Sequence, residues 1–511
     1  RAQHQNHSHH RDIAAANRVL EVGGKRTVPF WPAVKMFWNP SRSEPSFTGV
    51  TMSTTHLAQT TDFAFVDDLM TYGEDYQPQP GDIVSCDDLK TTRGEPVTGE
   101  SAKVISRGDD TVLLKDEVTG QELEVPSDSW FYIVESPAVT ATWEKHLRNP
   151  CPDGVAFADG LVDAALVERL RADVQRLIEM EPVDYHPGSG TKVRDLVHPS
   201  LFPYIEGRSV LLHPAQPRET PSYDRFGRPF ESSRYQWLPT PFRIAENGTV
   251  TVLSYINNLD RNRHPATYDD LAALLATALP LIESVAGYVE STKFWQEDCD
   301  GVEHEGELPE RVDETQQAAP PMSLRGREIL VIPKIVEYRL GAGETHEGVW
   351  HVEGMSHEHI IATCVYILDR DDALEGGELR FKRAYTLEEA GRLFWNIAQC
   401  RPRPVEQLVD EGTIPVGSVA TPQGRIVVFP NSHIHKLSTL SVVAGAPEAR
   451  RRVIVFWLVD PSVTIPSTAE VPAQQGLIPY EEALAVRLEL MEERKRHKQT
   501  LNVRAVSLCE H

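Results

Sequence analysis

The chain has 511 residues, 40% hydrophobic and 25% charged, the balance of a globular protein of two or three domains, not of a disordered or fibrous one. Fifty-one Lys and Arg stand against seventy-five Asp and Glu, a net charge of −24; such a surface repels phosphate backbones and anionic lipid, which argues against nucleic acid or a membrane as partner. Six cysteines without a CxxC pair, no apolar run of about 18 residues and no signal-like leader point to a reducing, cytoplasmic setting with no spanning helix.

Residues 1–77 read as an N-terminal extension. Its opening histidines, His4, His7, His9 and His10, are read as a solvated tail rather than a metal tract. From 78 to 136, short alternating runs such as "AKVISR" and "TVLLKDEV", divided by turns such as "RGDD" and "VTGQ", predict a small SH3-like β barrel. The remainder, 137–511, reads as one larger domain. Its first part, 155–295, has a helical pattern: "LVDAALVERLRADVQRLIEM" places Leu161, Ala164, Ala165, Leu170 and Val174 near a 3.6 period, and "TYDDLAALLATALPLIESVAGYV" repeats it. An acidic stretch, "EDCDGVEHEGELPERVDETQQAAPP", reads as an exposed loop. Strands follow over about 325–465: "EILVIPKIVEYRL", "HIIATCVYILD", "GELRF", "GRIVVFP", "HKLSTLSVV" and "RRVIVFWLVD". Several are almost wholly apolar, as in strands covered on both faces. One helical insert spans 386–398. A charged helix over 479–499 closes the pattern, its charges read as a solvated face.

Within the strand-rich part, "GVWHVEGMSHEHIIATCVYILD" holds histidines and acids that a strand start does not require. In an extended segment, alternation puts His351 and Glu353 on one face with Val352 opposite. Further on, "VVFPNSHIHKLS" begins a strand with His433 and His435, and Arg450–Arg452 opens the last strong strand. A histidine, an acid, a distal histidine and then an arginine suit a 2-His-1-carboxylate Fe(II) site, with the arginine holding a co-substrate carboxylate. The H-x-E element alone recurs by chance, so the ordered set carries the reading. Two rival ligand sources remain: His357, Glu358 and His359, read as turn and strand-start residues, and His433, less central in its strand than His435.

These segments, with "RRVIVFWLVDPSVTIPSTAEVPAQQ", "VRDLVHPSLFPYIEGRS", "YQWLP", "SYINNL" and "EEALAVRLELMEERK", resemble a domain-of-unknown-function family related to Fe(II)/2-oxoglutarate dioxygenases, over about 190–500. The resemblance implies an α+β protein with a double-stranded β-helix (jelly-roll) core wrapped by helices. It implies His351, Glu353 and His435 as iron ligands and Arg451 as the 2-oxoglutarate anchor, with Arg452 as fallback. Glu353 departs from the commoner Asp without losing the ability to ligate. The expected activity is oxygenation of a small molecule or an amino-acid side chain of a peptide, with Fe(II), 2-oxoglutarate and O2. Tyr255 and Asn257 are the candidate substrate contacts; Tyr204, Arg208, Trp237 and Asn258 lie in the same matching segments, and Trp350 reads as packing beside the first ligand. Two alternatives stay open: a cupin-like metal enzyme without 2-oxoglutarate, and a catalytically inactive binding scaffold.

Overall fold

A computed structural model of the protein describes residues 64–71, 76–129, 131–212, 225–226, 233–294, 321–386, 389 and 413–500. The histidine-rich start, the acidic stretch and nearly all of the 386–398 insert lie outside the described residues. Helix α1 (Ala64–Met70) falls where the sequence shows no clear period. The first β block contains β1 (Ile83–Ser85), β2 (Ser101–Arg107), β3 (Thr111–Asp116), β4 (Glu122–Pro126) and β5 (Ile133–Glu135), antiparallel in the order β4-β3-β2-β1-β5. Alternation turns Val84, Ala102, Val104, Val112, Leu114 and Val125 inward to a core of their own. Helix α2 (Pro137–Leu147) follows and packs its Val139 into the main body, as α1 does with Phe65 and Leu69.

The 155–295 part is less helical than its sequence pattern suggests. It holds β6 (Ala156–Asp159), α3 (Ala164–Met180), β7 (Val193–Val197), β8 (Tyr204–Ile205), β9 (Tyr235–Gln236), β10 (Thr240–Ile244), β11 (Val250–Val252) and α4 (Pro265–Ser291). These strands are only two to five residues long, too short for periodicity to reveal, and tertiary pairing decides them. Asp163 caps α3, its side chain accepting from the Leu166 N–H at 3.0 Å. By length and composition α4 is apolar enough to cross a membrane, contrary to the expectation from the sequence. Its apolar window is 67% buried within the protein, which makes it a core helix here.

The strand-rich part contains β12 (Glu328–Gly341), β13 (Thr345–His346), β14 (Ile360–Arg370), β15 (Leu374–Gly376), β16 (Leu379–Ala384), β17 (Thr413–Val419), β18 (Arg425–Pro430), β19 (His433–Leu437), β20 (Leu440–Val442) and β21 (Glu448–Val459). One antiparallel sheet runs β11-β10-β12-β21-β14-β18-β6, with β7 also on β12. Two three-stranded sheets, β13-β20-β15 and β17-β16-β19, complete the set. Along β21 the two faces separate by parity. Ile454, Phe456 and Leu458 join the core with α3 and α4. Val453, Val455, Trp457 and Val459 join Phe381, Ile414, Val416 and Leu437 of the smaller sheets. Both faces of the large sheet are thus covered, which is why its strands read as apolar runs. The protein is mixed α+β and mostly antiparallel sheet.

Helix α5 (Tyr480–Thr500) departs from its expected character. Ala483, Val486, Arg487, Leu490 and Arg494 form a buried stripe at helical spacing. Arg487 pairs with Asp184, and Arg494 donates to both carboxylate oxygens of Glu358 at 2.9 and 2.5 Å while lying 4.0 Å over the Trp237 ring. Two of the charges read as solvated therefore sit inside, neutralised by distant acids.

Candidate metal centre

His351 forms an isolated antiparallel bridge with His435: the His351 N–H donates to the His435 carbonyl at 3.0 Å, and the His435 N–H returns at 2.9 Å. Directly opposed residues share a face, so their rings stand 4.3 Å apart, centroid to centroid. Glu353 follows two residues on, its Oε1 3.7 Å from His351 Nε2 and 3.5 Å from His435 Nε2. One donor atom from each of the three lies within 4.8 Å of the others. His351 Nδ1 donates to the Val349 carbonyl at 2.7 Å, which leaves Nε2 facing Glu353. Burial, with His351 beside it, pushes the His435 imidazole down to about 4, leaving it neutral and able to ligate at neutral pH. Burial raises the Glu353 carboxyl, but hydrogen bonding and attraction from the two imidazoles outweigh it and hold the group well below its ordinary range. A tight turn follows at Gly354, at φ +66°, where a Cβ would stand 2.7 Å from Glu358 Oε2 and from Ile360 Cδ1.

Arg451 lies on β21 opposite Tyr338 of β12 and Arg370 of β14. It is 2% exposed, yet its Nε and Nη1 have no hydrogen-bond partner among the described residues. Burial lowers its pKa to about 10, opposed by Tyr338 and aided by Arg370. Parity puts it on the face of Val453 and Val455, in the cluster that also holds Phe381 and Phe429, whose rings stand 6.3 and 4.6 Å from His435. Gly377, at φ +72°, leaves room here; a Cβ would stand 2.7 Å from Leu440 Cδ1 and 3.4 Å from Arg451 Nη1. The fallback, Arg452, points the other way and is occupied: Nε donates to Glu337 at 2.8 Å, Nη2 to Gln175 at 3.0 Å, and Asp369 lies 3.5 Å off.

The rivals have other partners. His433 Nε2 meets the Asp153 carbonyl at 2.7 Å, and burial pushes its pKa down to about 3, aided by the Arg383 charge. His357 Nε2 meets the Tyr235 carbonyl at 2.9 Å, and Glu358 is committed to Arg494. The bonds of Tyr255 and Asn257 run elsewhere: the Tyr255 hydroxyl donates to the Val471 carbonyl at 2.8 Å, and Asn257 Nδ2 to the Pro199 carbonyl at 3.3 Å. Trp350 lies between the Lys382 and Lys436 ammonium groups, at 5.2 and 5.3 Å. Sequence reading passed over Lys334, which stands on the Arg451 face of β12, 3.5 Å from Asp195, and Asn431, whose "PN" reads as a mere turn. A lysine amid "EILVIPKIVEYRL" was the available signal for the first.

Among known families, one described as "Protein of unknown function (DUF4246)" matches residues 140–479. This chain belongs to the DUF4246 family. No curated protein matches this DUF4246 member. Solved structures similar to it include a 2OG-Fe(II) oxygenase family oxidoreductase from Burkholderia pseudomallei, at 13% identity over 64% of this chain and 93% of that one, TM-score 0.25. A prolyl hydroxylase from Trichoplax adhaerens, in complex with a hypoxia inducible factor peptide fragment, matches at 9% identity over 64% and 96%, TM-score 0.26. A Pseudomonas putida prolyl-4-hydroxylase matches at 11% over 60% and 92%, TM-score 0.23.

Proposed function

We propose that this DUF4246 protein is an Fe(II)/2-oxoglutarate-dependent oxygenase acting on a small molecule or an amino-acid side chain of a peptide. The observation that carries the reading is the presence of a three-donor cluster together with a buried arginine that has no counter-anion among the described residues. The donor set fits iron: two imidazoles and one carboxylate on a single face, the remaining positions open. The ladders β12-β21, β14-β18, β13-β20 and β16-β17 support a double-stranded β-helix core. The 78–136 block is assigned as an appended SH3-like barrel.

His351, Glu353 and His435 would hold the iron, which when bound couples oxidative decarboxylation of 2-oxoglutarate, to succinate and CO2, to insertion of the second oxygen atom of O2 into a substrate C–H bond. Arg451 pairs its guanidinium with the distal carboxylate of 2-oxoglutarate, a planar fork-to-fork match that a lysine does not offer. Phe381 and Phe429 wall the ring of His435 and keep water from that side. Neutral His435 needs to lose no proton before it ligates.

Anaerobic addition of Fe(II) and then 2-oxoglutarate tests the reading. A weak visible charge-transfer band is expected in the wild type, absent in His351→Ala and requiring far more 2-oxoglutarate in Arg451→Leu. Iron binding without a band would favour the cupin-like enzyme, and no iron binding would leave an inactive scaffold.

A further inference from the structure

Asn431 closes the turn between β18 and β19 and is completely buried. Its side chain is engaged in three directions. Oδ1 accepts from the Glu353 N–H at 2.8 Å; Nδ2 donates to the Glu353 carbonyl at 2.9 Å and to the Ile360 carbonyl at 3.0 Å. Its own N–H donates to the Ile361 carbonyl at 2.9 Å. One carboxamide therefore grips both backbone groups of the acidic residue in the triad, and does so from the turn that leads, four residues later, into His435. The amide has one orientation that satisfies these partners, since two acceptors and one donor face it.

We infer that Asn431 is a positioning residue of the metal centre: it fixes the Glu353 backbone relative to the strand carrying His435, and so sets where the carboxylate meets the two imidazoles. This rests on the metal-site reading above. Of the common side chains only asparagine answers the site. Aspartate has the same shape but turns an acceptor toward two carbonyls, serine does not span the gap, and glutamine is one methylene too long for a close-packed site. The residue after Glu353 is Gly354, at positive φ, so the backbone turns away directly after the acid; the rest of the loop is anchored separately, through Glu358 and Arg494.

The test compares two isosteric changes in the full chain. Asn431→Asp alters the grip on Glu353. Gln474→Glu makes the same swap at a buried amide donating to the Phe202 and Pro203 carbonyls at 3.2 and 2.9 Å, away from the metal loop. Co(II) serves as probe, read by its dissociation constant and visible spectrum, beside thermal melts of metal-free protein. Partners that orient metal ligands typically control about 10- to 100-fold in affinity. The expected result is a loss of that size, with an altered spectrum, in Asn431→Asp. Gln474→Glu should melt lower yet bind Co(II) within about twofold of wild type, since its bonds do not touch the ligand loop. Unchanged Co(II) affinity and spectrum in Asn431→Asp would overturn the inference, as would equal weakening by both variants. If Asn431→Asp does not fold, Asn431→Ser takes its place; failure of both to fold while Gln474→Glu folds would make Asn431 a folding residue and overturn the positioning role. A wild type that binds no Co(II) would sink the metal-site reading itself, which separates the two failures.

Discussion

Arg451 and Arg452 are neighbours on β21, and both are buried, yet the two faces of the sheet treat them differently. On the helical face Arg452 meets Glu337, Asp369 and Gln175. On the other, Arg451 has two nitrogens without partners among the described residues and a depressed pKa. Proteins seldom leave a guanidinium buried and unpaired, because desolvation costs several kcal/mol that only a counter-charge recovers. One face is finished by folding; on the other a buried positive charge is left without an acid partner among the described residues, which is where the proposed co-substrate would bring its own anion.

The sharpest way to break this comparison is to remove each arginine in turn. Arg452→Leu strands Glu337 without its partner and is expected to cost about 3–5 kcal/mol in chemical denaturation. Arg451→Leu is expected to leave stability unchanged or higher, while weakening 2-oxoglutarate binding about 100-fold or more, the worth of two charge-assisted hydrogen bonds, as read by calorimetric titration. A large stability loss in Arg451→Leu would show that it has a protein partner after all. Gly377→Ala sharpens the picture at smaller cost. The left-handed conformation penalises the new Cβ by about 1–2 kcal/mol, and contact with Leu440 and Arg451 should weaken 2-oxoglutarate binding as well.

A reversed-sign version of the imbalance completes the series. Asp173 on α3 is buried with Oδ2 unpartnered among the described residues, and burial with Asp270 nearby raises its pKa to about 6. A carboxyl raised on folding contributes stability below its unfolded pKa near 4, and that contribution is lost as pH rises through about 6. Asp173→Asn should therefore stabilise the protein by about 1 kcal/mol or more at pH 7 and by little at pH 4. Melts at the two pH values would check it.

How much of this was readable beforehand depends on the range of the forces involved. Period-two alternation is local, so His351 and Glu353 on one face, and the long strands β12, β14 and β21, are legible in the sequence. Parity also says that Arg451 and Arg452 face opposite ways, but not which way; that is decided by Glu337, 115 residues earlier. The segments "VRDLV" and "TPFRI" read as parts of a helical region because their pairing partner, β12, is remote. Tyr255 and Asn257 show the converse. They stand out by lying in a segment that matches the family, and backbone carbonyls at 471 and 199 absorb their polar groups. Asn431 stayed invisible because its three partners lie 71 and 78 residues away.

The ion pairs of α5 carry a practical consequence for where this domain is said to stop. The family match ends at residue 479, one residue before the helix starts. A fragment cut at that border would discard Arg487 and Arg494 while keeping Asp184 and Glu358, two buried carboxylates that would lose their arginine partners. Glu358 sits in the loop between Glu353 and β14, so the damage would reach the proposed metal ligands first. The functional unit runs past its recognisable border, and expression of the family region alone should yield insoluble protein where extension to residue 500 yields a folded one.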